Sequence, residues 1–213
     1  MKAGQTIKKI TRNYRDYGLR LTASKVSRQL VSFAFEDQTY RIYRIRLADH
    51  SMENYDDGGF TFRLVHPDEA PLIRQIEDME EWLWNRVAEK LRSGSICLIA
   101  EEDGTVAGFN LVSFGDVEMP LVMTRRTFRP IEAWSEQITV GKDFRGRGLA
   151  TLLRYHTFDE LKRRGIRRFY GGTLPSNTAN LKLSRKVGFR EIADIRYVKR
   201  LNRRSWTYTR LGR

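Results

Sequence analysis

The stretch FRGRGLATLL, residues 144–153, sets two arginines and two glycines directly before an apolar helical pattern. Glycine has no Cβ, so Gly146 and Gly148 let the chain turn tightly and let a bulky partner approach the peptide N–H groups. The first N–H groups of the helix that follows have no intrahelical acceptor, and the helix dipole places positive partial charge there. Such a terminus binds anions, and Arg145 and Arg147 add two forked donors suited to phosphate oxygens. The glycine spacing and flanking elements differ from those of a kinase-type or dinucleotide-binding loop.

Working outward, AWSEQITV (133–140) alternates as a strand and runs straight into this turn. The helical pattern extends from Leu149 to Arg164 and stops at Gly165, a glycine C-cap. IRRFYGG follows as a strand, NTANLKLSRKVG as a second helix ending at Gly188, and FREIADIRYVKRL with SWTYTRL as a closing hairpin. Upstream, ICLIAEEDGTVAGFNLVSF forms two strands joined across Asp103-Gly104. FTFRLV is a short strand before a helical region through Trp82, Val87 and Leu91. DHSMENYDDGG (49–59) is polar and turn-rich and reads as a linker. Before it come a helical pattern from Leu19 to Phe35 and an alternating TYRIYRIRL. These divide the chain into a basic extension with linker, 1–59, and one domain, 60–213.

The charge is uneven. Of the formal net charge of +13, residues 1–48 carry +8 and residues 185–213 another +8, while the middle is net −3. Such ends attract phosphate-rich partners or anionic lipid. No apolar run approaches the roughly 20 residues of a membrane span, and the first residues do not resemble a secretory signal. A cytoplasmic location is therefore expected. The lone Cys97, within ICLIA, reads as a buried thiol, and three histidines far apart in sequence show no ligand spacing, so no metal is expected.

The order strand, RGRGLA, helix, strand, Asn-containing helix, Gly-Phe and final hairpin resembles the GNAT superfamily of acyl-CoA-dependent N-acyltransferases over residues 60–213. Arg145, Gly148 and Ala150 match its Arg/Gln-x-x-Gly-x-Gly/Ala motif; Asn177, Gly188 and Phe189 match a second signature. The resemblance implies an α+β fold: a mixed, mostly antiparallel sheet flanked by helices and splayed between its fourth and fifth strands, near Val140 and Gly172. It implies acetyl-CoA as acyl donor, with the pyrophosphate on the N–H groups of Gly146, Arg147, Gly148, Leu149, Ala150 and Thr151. The pantetheine arm would pair as an extra strand with the main chain at Ile138, Thr139 and Val140, and Asn177 and Asn180 would complete the cofactor site. A small-molecule primary amine, such as an amino sugar, would attack the thioester directly, with a backbone N–H near Val140 as oxyanion donor.

The chain departs from the family at two positions. The tyrosine that many members place in the second signature helix is replaced by Ser184, and the glutamate that some place on the fifth strand falls on Gly172. Ser184 is then the candidate donor to the leaving sulfur. Glu136, which shares the face of Ile138 and Val140 by period-two spacing, is the candidate base; pairing with an arginine would account for it equally well. Tyr155 and Tyr170 are weaker candidates. Residues 72–92 would wall the acceptor site, with Trp82, Trp84 and Trp134 as apolar faces or as core. Two other readings stand beside the enzyme. One is a nucleic-acid-binding module, which lacks any recognised motif, so no nucleic-acid partner is expected. The other is a catalytically silent GNAT-like protein that docks on anionic membrane through residues 1–48.

Overall fold

The computed structural model describes residues 35–50, 55–76 and 81–212. Apart from Phe35, the helical pattern read from Leu19 onward lies outside them. In chain order the elements are β1 (Phe35–Arg46), β2 (Thr61–Leu64), a 3-10 helix (Pro67–Gln75), α1 (Glu81–Arg92), β3 (Ile96–Glu102), β4 (Thr105–Ser113), β5 (Asp116–Met119), β6 (Thr124–Thr127), β7 (Glu132–Val140), α2 (Leu149–Arg163), β8 (Arg168–Thr173), α3 (Thr178–Lys186), β9 (Arg190–Arg200) and β10 (Arg203–Arg210). Eight strands form one sheet in the order β10-β9-β1-β8-β7-β4-β3-β2, and β5 pairs with β6 in a separate ribbon. Every pairing is antiparallel except β7 with β8. This is the α+β architecture expected from the resemblance. Asp103 and Gly104 both adopt positive φ (49° and 74°), the left-handed pair that a tight hairpin between β3 and β4 requires.

Alternation along the strands puts two layers on the sheet. On one face Cys97, Ile99, Phe109 and Leu111 pack with Val87, Ala88 and Leu91 of α1; burial pushes the Cys97 thiol up from its ordinary value. On the other, Leu98, Ala100 and Ala107 pack with Leu149 and Leu153 of α2.

The division at residue 59 needs correction for residues 35–50. Strand β1 lies inside the sheet, paired with β8 from Arg41↔Thr173 to Arg46↔Arg168 and with β9 from Phe35↔Arg200 to Arg44↔Arg190. The reason is legible in TYRIYRIRL. Ile42 enters a core with Trp134, Tyr170 and Val117 on one face, while Tyr43 and Ile45 enter a core with Phe158, Phe169 and Val187 on the other. A strand with apolar groups on both faces is stable only between neighbours.

Two features of β7 position the site. Its parallel pairing with β8 covers only Glu132↔Arg168, Ala133↔Phe169 and Trp134↔Tyr170, beyond which the strands part. Its pairing with β4 passes from Val112↔Ser135 to Leu111↔Gln137, so Glu136 is an extra residue in a bulge.

Candidate active site

The fork between β7 and β8 opens beside two adjacent spaces. A cavity of about 420 Å³ is lined by residues including Tyr40, Tyr43, Arg86, Glu136 and Arg154. A groove of about 430 Å³ is lined by Thr139, Val140, Arg145, Ala150, Ala179 and Leu183, among others. Ile138, Asn177 and Asn180 line both, so they mark the junction.

The groove side is built from backbone. The Gly141 N–H donates to the Ala107 carbonyl at 2.8 Å. Antiparallel alternation therefore turns the Val140 and Ile138 N–H groups to the opposite edge, into the fork. The Val140 carbonyl faces the same way and accepts from Arg145 Nε at 3.2 Å. Gly146 and Gly148 have φ of 81° and 80°, and a Cβ at either would meet nothing within 4 Å. Conformation and open space both suit an approaching ligand. Among the described residues, no backbone carbonyl accepts from the N–H groups of Gly146 to Ala150. Two expected contributors differ. The Thr151 N–H is committed to the Gly148 carbonyl at 2.8 Å. The Arg147 guanidinium turns away to Glu102, with Nη1 2.8 Å from Oε2, and stacks 4.5 Å over Phe60. That carboxylate and ring capture it because β3 ends beside the turn, a proximity invisible in the sequence.

The cavity side is built from side chains of distant segments. Glu136 lies in it, but the bulge shifts the alternation, so it does not share the face of Ile138 and Val140. Those two pack with Leu149 and Leu153 of α2, whereas Glu136 reaches α1, with Oε2 2.8 Å from Arg86 Nη2 and Oε1 2.8 Å from Lys90 Nζ. Its side chain is only 2% exposed, so the pairing with cations weighed for it is the geometry found. Ser184 is buried and donates to Asn180 Oδ1 at 3.3 Å. Tyr43 donates to the same oxygen at 3.4 Å, and Asn177 caps α3 by accepting from the Asn180 N–H at 3.1 Å. Trp134 lines the cavity, and Trp84 packs on the α1 core beneath Arg74. The Trp82 side chain lies outside the described residues. Tyr155 stacks on Tyr55 at 4.4 Å, away from the fork, and Tyr170 donates to Glu132 at 3.2 Å.

Three groups escaped the sequence reading. Tyr40 donates to the Gly172 carbonyl at 2.8 Å, and burial pushes its phenol up. A Cβ on Gly172 would sit 2.3 Å from the Tyr40 ring, and one on Gly171 2.3 Å from the Tyr43 ring. This explains the glycine at the fifth-strand position: two tyrosines of β1 occupy the space that side chains there would fill. The third is Arg154, 1% exposed, whose guanidinium donates to Ser135 Oγ at 2.7 Å. Burial pushes its pKa below the ordinary arginine value, against the opposing effect of the Tyr43 hydroxyl. The available signal was its place on the buried stripe of α2, four residues after Ala150 and four before Phe158. The Glu118–Leu121 wall of the cavity, from β5 and the turn after it, was also unassigned.

A forked sheet whose open half carries a groove at a helix N-terminus and a cavity beside it defines an α+β protein of a recognisable class. A model described as the acetyltransferase (GNAT) family matches residues 59–189, and the chain belongs to that family. Solved structures share the fold at low identity. A GNAT-family acetyltransferase described as putative, from Novosphingobium aromaticivorans, is 18% identical with a TM-score of 0.55, over 78% of this chain and 66% of that one. A tandem GNAT protein from the clavulanic acid biosynthesis pathway is 17% identical with a TM-score of 0.56, over 84% and 55%. The glucosamine N-acetyltransferase region of a fungal multi-domain β-N-acetylglucosaminidase is 15% identical with a TM-score of 0.58, over 82% and 22%. The chain thus spans less than two thirds of each. Among curated proteins none matches. No helix among the described residues is long and apolar enough to cross a membrane.

Proposed function

We propose that the protein transfers an acetyl group from acetyl-CoA to the primary amine of a small acceptor by direct attack. The observation that carries this reading is that groove and cavity share Ile138, Asn177 and Asn180 as a common wall, beside a β7 edge whose N–H groups face the gap. The residues fit the donor. The N–H groups from Gly146 to Ala150, with Arg145, suit the pyrophosphate, and the open edge at Ile138 and Val140 suits an extended arm adding as a strand. Acetyl-CoA supplies the activated acyl carbon and the leaving thiol.

The chain supplies position, charge and proton handling. The groove and cavity hold the thioester and the amine in contact, which accounts for much of the acceleration. The Val140 N–H meets the negative charge that develops on the carbonyl oxygen. Glu136 takes the amine proton, the incoming amine displacing one of its two cations. The Ser184 hydroxyl, beside Asn180 at the junction, turns its O–H towards the departing thiolate and solvates it. Glu136 releases the amine proton to water and the sulfur takes one from water, so that one amine and one thioester become one amide and one thiol. An amino sugar is an acceptor of suitable size, in keeping with the glucosamine acetyltransferase that shares the fold. Titration calorimetry with acetyl-CoA, followed by free-thiol release across an amine panel, tests this. Heat on titration and amine-dependent thiol release are expected; no heat and no competition by CoA overturn it.

A further inference from the structure

Arg154 is a charge without a counter-charge. Among the described residues no carboxylate lies within ion-pairing distance of it, its Nε has no hydrogen-bond partner, and it is 99% buried against the cavity wall. Its neighbours are the Ser135 hydroxyl, the neutral Tyr43 hydroxyl and the rings of Phe169 and Phe189, 5.8 and 5.7 Å from the guanidinium carbon. Proteins rarely bury an arginine unless a carboxylate or a ligand completes it. A leucine on this stripe of α2 would fill the space without that penalty, so the charge answers to something that enters the cavity.

The rest of the cavity agrees. Its acidic residues are Glu118 and Glu136, and Glu136 is ion-paired with Arg86 and Lys90. Counting Lys90 behind Glu136, three cations stand against two carboxylates, and among the described residues Arg154 pairs with neither carboxylate. A guanidinium matches a planar carboxylate in a two-point contact, and burial strengthens that contact. We propose that the cleft receives a ligand carboxylate at Arg154, carried by an amino carboxylic acid as acceptor or by a dicarboxylic acyl group on CoA. The proposal rests on the acyl-transfer reading and narrows it.

The experiment has two arms on the full chain. In the first, thermal unfolding is followed with glycine, β-alanine, γ-aminobutyrate or glutamate, each against its amide, and with succinate alone. In the second, calorimetry compares succinyl-CoA with acetyl-CoA. At least a tenfold preference for the carboxylate form is expected in one arm. Discrimination among amines assigns the carboxylate to the acceptor; discrimination between acyl-CoAs assigns it to the acyl group. In Arg154→Met that preference disappears, CoA affinity stays within about threefold, and the unfolding temperature holds or rises, which a structural arginine would not allow. Arg154→Gln, which keeps a donor for Ser135, covers the case in which Arg154→Met fails to fold. No preference in either arm, or a preference that survives both variants, overturns the proposal. Absence of acetyl-CoA heat sinks the transferase reading, while the amine and succinate arm still decides this one.

Discussion

Strands β7 and β8 are a closed ladder over their first halves and an open cleft over their second, and the two halves treat buried polar groups in opposite ways. In the closed half Glu132 is 3% exposed yet fully engaged. Its oxygens accept from the Arg129 N–H and guanidinium, from Arg168 and from Tyr170. Burial alone would raise its pKa, but these four donors outweigh it and hold the carboxyl at about 2. In the open half Arg154 is equally buried but keeps an unpartnered Nε, and the β7 N–H groups at Ile138 and Val140 have left the ladder. A buried polar group satisfied within the chain closes a structure; the one left over at Arg154 borders the cavity. The fork is the boundary between these regimes.

The sharpest way to break the comparison is to close the open side. Gly148→Ile puts a β-branched residue at φ 80°, which strains the backbone by ~1–3 kcal/mol, and sets a side chain where a ligand must approach the amides. Loss of acetyl-CoA heat in calorimetry is expected; affinity within a few-fold of wild type would show that the ligand does not use this turn. The next largest effect is Glu136→Gln. If the carboxylate takes the amine proton, turnover falls by about 10²-fold or more and the acidic limb of the pH–rate profile flattens, since an amide accepts no proton. An unchanged profile would leave Glu136 as no more than an anchor for Arg86 and Lys90.

The closed half makes a prediction about stability rather than rate. The Glu132 carboxyl has a lower pKa folded than unfolded, so its contribution is complete above about 4.5 and is lost as pH falls towards about 2. The difference corresponds to about 3 kcal/mol. Urea unfolding of wild type should weaken across that window, and Glu132→Gln should be less stable at neutral pH with a flatter acid dependence there. The smallest effect is expected for Ser184→Ala. The hydroxyl already serves Asn180, and a thiol leaves readily, so a reduction of less than about tenfold in turnover with unchanged acyl-CoA affinity is expected. A loss of affinity instead would place Ser184 in binding rather than in the departure of the thiol.

What the sequence determined by itself is local. Strand, RGRGLA turn and helix follow from residues adjacent in the chain, because glycine conformation, helix-end N–H groups and apolar spacing need no distant partner. The Asp103-Gly104 hairpin and the ends of α2 and α3 follow for the same reason. Tertiary structure decided whatever depends on residues far apart in the chain. TYRIYRIRL declared itself a strand but not its place between β8 and β9, which rests on contacts such as Tyr40 to Gly172, 132 residues away. One extra residue in β7 turned Glu136 to the opposite face, since a bulge breaks the period of two that sequence spacing assumes. Arg147 was captured by Glu102, 45 residues distant, and Arg154 was buried with no carboxylate among the described residues beside it. Charge in a sequence reports only that a group can pair; the fold alone sets its partner, or leaves it without one.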